Sequence, residues 1–171
     1  MKLRPSCTID SSCLINLDQL DLLPQLSFLF KIVLVPKAVR EEIFRRAVTK
    51  DRMRLLFDRY AFFRRCNDYD QGAVDYLLVG RIQDRGEAEA VVQASQFGAI
   101  VIVDDTWGRE LAGNYDLEFH GTVWVLQRFL ELELLSSNAL RECFLSLLKS
   151  ERWLPWDAVN DLLQQIGEEP V

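Results

Sequence analysis

Three short stretches of the chain are apolar at nearly every position: SCTID (6–10), KIVLVP (31–36) and AIVIVDD (99–105). They are rich in β-branched residues and apolar on both faces, the pattern of strands covered on two sides. Helical stripes lie around them: SCLINLDQL (12–20), PKAVREEIFRRA (36–47), DRGEAEAVVQASQF (84–97) and TWGRELAG (106–113). Pro36 suits a first helical turn. This alternation predicts an α/β fold with a mostly parallel sheet and flanking helices. AFFRRC (61–66) predicts one further edge strand. Beyond residue 120 the pattern turns helical, with helices expected over 120–132, 137–151 and 155–169. Val159, Leu162, Leu163 and Ile166 follow i, i+3, i+4, i+7 spacing. Trp153 and Trp156 are expected to be buried packing residues, with a dimer or partner interface as the alternative.

Length and composition narrow the class. With 171 residues, 49% hydrophobic and 27% charged, the chain reads as one soluble domain with a full core. LLPQLSFLFKIVLV (22–35) is the longest apolar region, but Pro24, Gln25 and Lys31 break it, so no membrane span is expected. The N-terminus carries no pattern of a secretory leader. Four scattered cysteines and one histidine offer no zinc-ligand spacing, and a reducing cytoplasm suits them. The net charge is −6, yet residues 37–65 carry ten Lys/Arg against four acids, a local +6 within an otherwise −12 chain. Such a basic face is compatible with nucleic acid, and equally with a solvated helical surface.

The chemistry-bearing residues are acids at element ends. Asp10 closes the first strand, and Asp104 and Asp105 close the third. Glu41 and Glu42 lie on the helix after the second strand, and Glu87 opens the helix before the third. Parallel sheets bind ligands at the carboxyl ends of their strands. Acids gathered there repel one another, and a carboxylate-rich site without His or Cys suits Mg²⁺ or Mn²⁺. At about 100° per residue, Glu87 shares a face with Ala90, Val91 and Ala94, while Glu89 is expected to face water with Gln93 and Gln96. Each acid also has a plainer reading. Asp84 and Glu87 match a capping box. Asp10 fits a cap or turn at the strand end, with Ser11 or Ser12 as the alternative helix cap. One of Asp104 and Asp105 fits a cap for the next helix, because neighbours in a strand point to opposite sides.

As an ordered set these motifs resemble the PIN-domain nucleases, especially the branch related to VapC-type toxins. The likeness runs through TIDSSCLINL, VPKAVREEI, DRGEAEAVVQA, GAIVIVDDTWGRELA, HGTVWVLQRFLELELL and the tail RWLPWDAVNDLLQQIGE. The resemblance implies one PIN-like domain over residues 1–171, with residues 136–171 a C-terminal helical extension packed on it. It implies a Mg²⁺- or Mn²⁺-dependent ribonuclease with Asp10, Glu42, Glu87 and Asp105 catalytic. Metal ligands are then expected at Asp10, Glu87 and Asp105, with Asp104 as a supporting or substitute ligand. Ser11, Arg109, Arg45 and Arg46 are the expected substrate contacts, although Arg109 equally fits a salt bridge within its helix neighbourhood. RNA, a small antitoxin and a second copy of the chain are the implied partners. Two other readings remain at this stage: a PIN-like module that binds RNA or protein without turnover, and a phosphoacceptor signalling domain. The latter wants its paired acids after the first strand, whereas this chain has its pair after the third. His120 is expected to be structural.

Overall fold

The structure is a computed structural model that describes residues 4–45, 50–80 and 84–171. The three apolar runs form β1 (Ser6–Ile9), β2 (Ile32–Val35) and β4 (Ile100–Ile102). Basic AFFRRC supplies β3 (Phe63–Arg65), and a two-residue strand, β5 (Phe119–His120), completes a sheet in the order β3-β2-β1-β4-β5. Every neighbouring pair is parallel. β5 lies where sequence periodicity predicted the start of a helix, because two residues are too few to show a period of two.

Alternation along the strands feeds two cores. Cys7, Ile9, Val33, Val35 and Ile102 point into the larger one, while Leu34, Val101 and Val103 point to the other side. The larger core is covered by α1 (Ser11–Gln19), α3 (Lys37–Arg45), α4 (Lys50–Arg59) and a C-terminal layer. That layer comprises α8 (Thr122–Glu131), α9 (Ser137–Lys149) and α10 (Trp156–Gln165). A single 3₁₀ turn, Leu23–Gln25, and the short α2 (Leu26–Leu29) lead into β2. The opposite face carries α6 (Arg85–Phe97) and α7 (Thr106–Asn114), with α5 (Gln71–Leu77) outside α6.

The strand order has one consequence for function. From β1 the chain steps outward to β2 and β3, then returns to β1's other side for β4 and β5. Strand order thus reverses between β1 and β4, and a crevice opens there at the carboxyl ends. Among the described residues no helix is long and apolar enough to cross a membrane.

Two sequence expectations are corrected here. Glu89 does not face water: it is 1% exposed, and Gln93 is buried with it. The helical-wheel argument assumed one covered side, but α6 packs on β1 and β4, on α7, and on α3 and α5. Glu89 Oε2 accepts the Ala38 N–H at 2.7 Å in the first turn of α3, and Oε1 accepts from Arg85 Nε at 3.0 Å. A carboxylate at a helix N-terminus answers an unsatisfied N–H and the helix dipole together. Trp153, expected inside, is 62% exposed, while Trp156 packs against the larger core. Between α9 and α10 it is Leu154 that enters the core, and adjacent residues of an extended segment point opposite ways.

The C-terminal helices share the main core through Leu140, Phe144, Leu147, Val159 and Leu163. Leu163→Ala should therefore cost about 2–5 kcal/mol of global stability in urea denaturation. A loss well under 1 kcal/mol, or a separate transition for the C-terminal helices, would refute that shared core.

Candidate functional site

Two aspartates open two helices at the reversal point. Asp10 follows β1 and is itself the N-cap of α1, the cap reading of the sequence, rather than Ser11 or Ser12. Its Oδ1 accepts the Cys13 N–H at 2.8 Å, and its Oδ2 accepts the Ser12 hydroxyl at 2.7 Å. The Asp10 N–H donates to Ile102 O at 3.0 Å, extending the β1–β4 ladder to the site. Asp105 caps α7, its Oδ1 accepting from Trp107 N–H and Gly108 N–H at 2.8 and 3.2 Å.

Asp104 takes the buried position. Thr122 donates its backbone N–H to Oδ1 at 2.8 Å and its hydroxyl to Oδ2 at 2.6 Å, and Asn16 Nδ2 donates to Oδ2 at 3.2 Å. Arg109 Nη2 stands 3.9 Å from Oδ1. A Cβ on Gly121 would collide with both the Arg109 guanidinium and the Asp104 carboxylate, so only glycine permits this approach. Arg109 Nε is buried and has no hydrogen-bond partner.

The glutamates complete the edge. Glu87 lies in the first turn of α6, and Asp84, the N-cap, makes no side-chain cap hydrogen bond, so the expected capping box does not form. Gly108 lets α7 press onto this turn: a Cβ there would lie 2.6 Å from Val103 Cγ2 and 3.2 Å from Glu87 Cγ. Glu42, on α3, accepts the Ser11 hydroxyl at 2.6 Å, which ties α3 to the start of α1. Ser11, an expected substrate contact, is thus turned toward Glu42.

Electrostatics show these acids sharing one field. Burial, then the Asp104 charge, push the Asp10 carboxyl up to about 6. Burial pushes Glu87 to about 7, with Asp10, Asp105 and Glu42 adding repulsion against its own backbone N–H. A divalent cation is what such an edge accepts by donor type, since every donor is a hard carboxylate oxygen. Among the described residues, however, no three acids, histidines or cysteines stand together as a metal-binding group.

The basic segment is largely engaged within the fold. Arg52 bonds Asp18 and Asp21, Arg65 pairs with Asp58, and Arg40 donates to Val35 O at 2.9 Å and to Asn67. Arg54 lies over the Phe44 ring. Arg45 is exposed at the end of α3, and Arg46 falls outside the described residues. His120 stacks on Trp124 at 3.9 Å between ring centroids, and its ring meets Glu118 at 2.9 Å.

Sequence reasoning missed Asn16 and Thr122, the two residues that hold Asp104. The available signals were a lone Asn in the apolar run of α1 and a Thr following a glycine. A cleft of about 270 Å³ opens beside them, lined by Ser12, Asn16, Asp104, Asp105, Glu151, Arg152 and Trp153.

A PIN-domain family model matches residues 6–168. The chain belongs to the PIN-domain family, whose members are generally nucleases and generally use divalent metals. No curated protein matches the chain at a significant level.

Asp10 and Glu87 hold their protons more tightly folded than unfolded. Their contribution to stability is full at low pH and is lost as pH rises from the ordinary values of 3.8 and 4.5 toward about 6 and 7. In metal-free urea titrations, Glu87→Gln should flatten that decline by up to about 3 kcal/mol between pH 4.5 and 7.5. Parallel wild-type and variant profiles would refute the crowding.

Proposed function

We propose that this protein is a Mg²⁺- or Mn²⁺-dependent endoribonuclease, and the toxin of a toxin–antitoxin pair that acts in the cytoplasm. The observation that carries the reading is the crowding of Asp10, Glu87, Asp105 and Glu42 into one field at the reversal point of a PIN-domain sheet. Asp10, Glu87 and Asp105 would hold the cation, and Asp104 supports them. The chemistry a bound cation supplies is polarisation of the phosphate and acidification of the attacking water.

The chain's own residues have separable tasks in this reading. Asp10 and Asp105 present carboxylates held by the first N–H groups of α1 and α7. Glu42, oriented by Ser11, would take up the proton that leaves the attacking water. Asp104 has both oxygens occupied by Thr122 and Asn16, so it fixes the spacing between α1 and the start of α8. Arg109 faces Asp104 at 3.9 Å and would contact the substrate phosphate, with Arg45 and Arg46 as further proposed RNA contacts. A homodimer and a small antitoxin complete the proposal. The second reading, a PIN-like binding module without turnover, is favoured by the absence of a gathered three-ligand group among the described residues.

Purified protein should cleave RNA with Mg²⁺ or Mn²⁺ and lose cleavage in excess EDTA. Undiminished cleavage in EDTA would sink the metal mechanism, and metal and RNA binding without any cleavage would favour the binding module. Asp104 and Asp105 should part company under substitution. Asp105→Asn should abolish cleavage and leave the fold intact, since Asn caps a helix as well as Asp. Asp104→Asn turns an amide donor toward Thr122 or Asn16 donors and should cost about 1–3 kcal/mol of stability. Denaturation and single-turnover cleavage on both variants measure this, and an active Asp105→Asn protein would reject its role.

A further inference from the structure

The α9–α10 connection forms one wall of the acidic cleft, through Glu151, Arg152 and Trp153. Its backbone is held from both sides. Glu151, at φ 52°, donates its N–H to Leu148 O at 2.9 Å, and Arg152 N–H donates to Leu147 O at 3.1 Å. Arg152 Nε reaches Gln19 Oε1 at 3.5 Å, and Gln19 in turn donates to Ser150 Oγ at 2.7 Å. On the other side Leu154 is buried in the main core. Trp153 therefore stands out from a loop whose backbone is anchored on both sides. A scattered exposed apolar residue is ordinary; this one is the largest aromatic surface on the rim of a cleft floored by Asp104 and Asp105. The floor also has an unmet need: Asn16 is buried, and its side-chain carbonyl oxygen has no hydrogen-bond partner.

Charge sharpens the point. A carboxylate cluster repels a polyanion, and contacts that do not depend on charge add affinity for RNA without meeting that repulsion. Base–aromatic stacking is such a contact, because every base has a π-face. Paired bases in an RNA duplex do not offer that face to a side chain, whereas unpaired bases splay out onto aromatics.

We propose that Trp153 is the stacking platform for an unpaired base next to the phosphate at the acids, with Arg152 beside it for the backbone. This rests on the ribonuclease reading above. Trp153 and Arg152 are binding residues in this scheme and take no part in proton transfer.

The test compares wild type, Trp153→Ala and Trp153→Phe. Binding of a labelled short oligouridine, its abasic counterpart and a blunt RNA duplex is followed by anisotropy in EDTA, and cleavage kinetics are measured with Mn²⁺. Trp153→Ala should raise the oligouridine Kd and KM about 5- to 150-fold, the range set by losing one stacked base. Its kcat at saturation should stay within about 2-fold of wild type. Trp153→Phe should keep most of the affinity. The abasic strand should bind wild type about as weakly as oligouridine binds Trp153→Ala, with no further loss when the two are combined. Unchanged Kd and KM in a Trp153→Ala protein, while wild type cleaves, overturns this proposal alone, as does equal cleavage of duplex. A shift of oligomeric state in sedimentation with unchanged RNA affinity assigns Trp153 to a protein interface and overturns it too. Wild type that neither binds nor cleaves RNA overturns the ribonuclease reading itself, and this proposal with it.

Discussion

Everything at the acidic edge depends on β1 lying beside β4 in parallel. That pairing carries its ladder past the strand ends, through the Asp10 N–H to Ile102 O. It makes two helices start side by side, each with an aspartate as its cap. A capping carboxylate is stabilising by itself, because it answers backbone N–H groups that would otherwise lack partners. Two caps and a buried Asp104 in one crevice are different, since their charges add while their hydration is removed. The Asp10 and Glu87 carboxyls are raised by that burial and repulsion.

The rest of the fold can be understood as holding the conflict in place. Asp104 is held by three hydrogen bonds from two distant segments, Asn16 on α1 and Thr122 at the start of α8. Gly108 and Gly121 remove the side chains that would keep Glu87 and Arg109 at a distance. Glu89, two residues beyond Glu87 on the same helix, is an acid of the opposite kind. It caps α3 and pairs with Arg85, so it contributes to packing and not to the cleft. Two glutamates two residues apart thus have separate physical fates, decided by which neighbours surround α6.

The charge distribution also changes meaning once folded. By sequence the +6 segment suits a polyanion and a solvated helical surface equally; in the fold Arg40 is tied to Val35 O and Asn67, while Arg52 and Arg65 are ion-paired with local acids. Exposed ion pairs of that kind contribute little to stability, but they spend the cations on the fold's own acids. The open surface beside the acids is instead aromatic and guanidinium-bearing, and it comes from the α9–α10 connection.

The sequence by itself determined the α/β class, four of the five strands and most of the helices, because apolar period and β-branching act over a few residues and do not need distant neighbours. It also placed Asp10, Glu87 and the Asp104–Asp105 pair at element ends, since turns and caps leave local marks. What it could not decide was which side of an element would be covered. Glu89 looked solvent-facing until α3 and α5 closed over α6, and Trp153 looked like core until Leu154 took the buried place. The division between Asp104, buried under Thr122 and Asn16, and Asp105, capping α7, was likewise set by partners 18 and 88 residues away from Asp104. Burial and hydrogen-bond partnership are properties of the assembled neighbours, so only the tertiary structure could settle them.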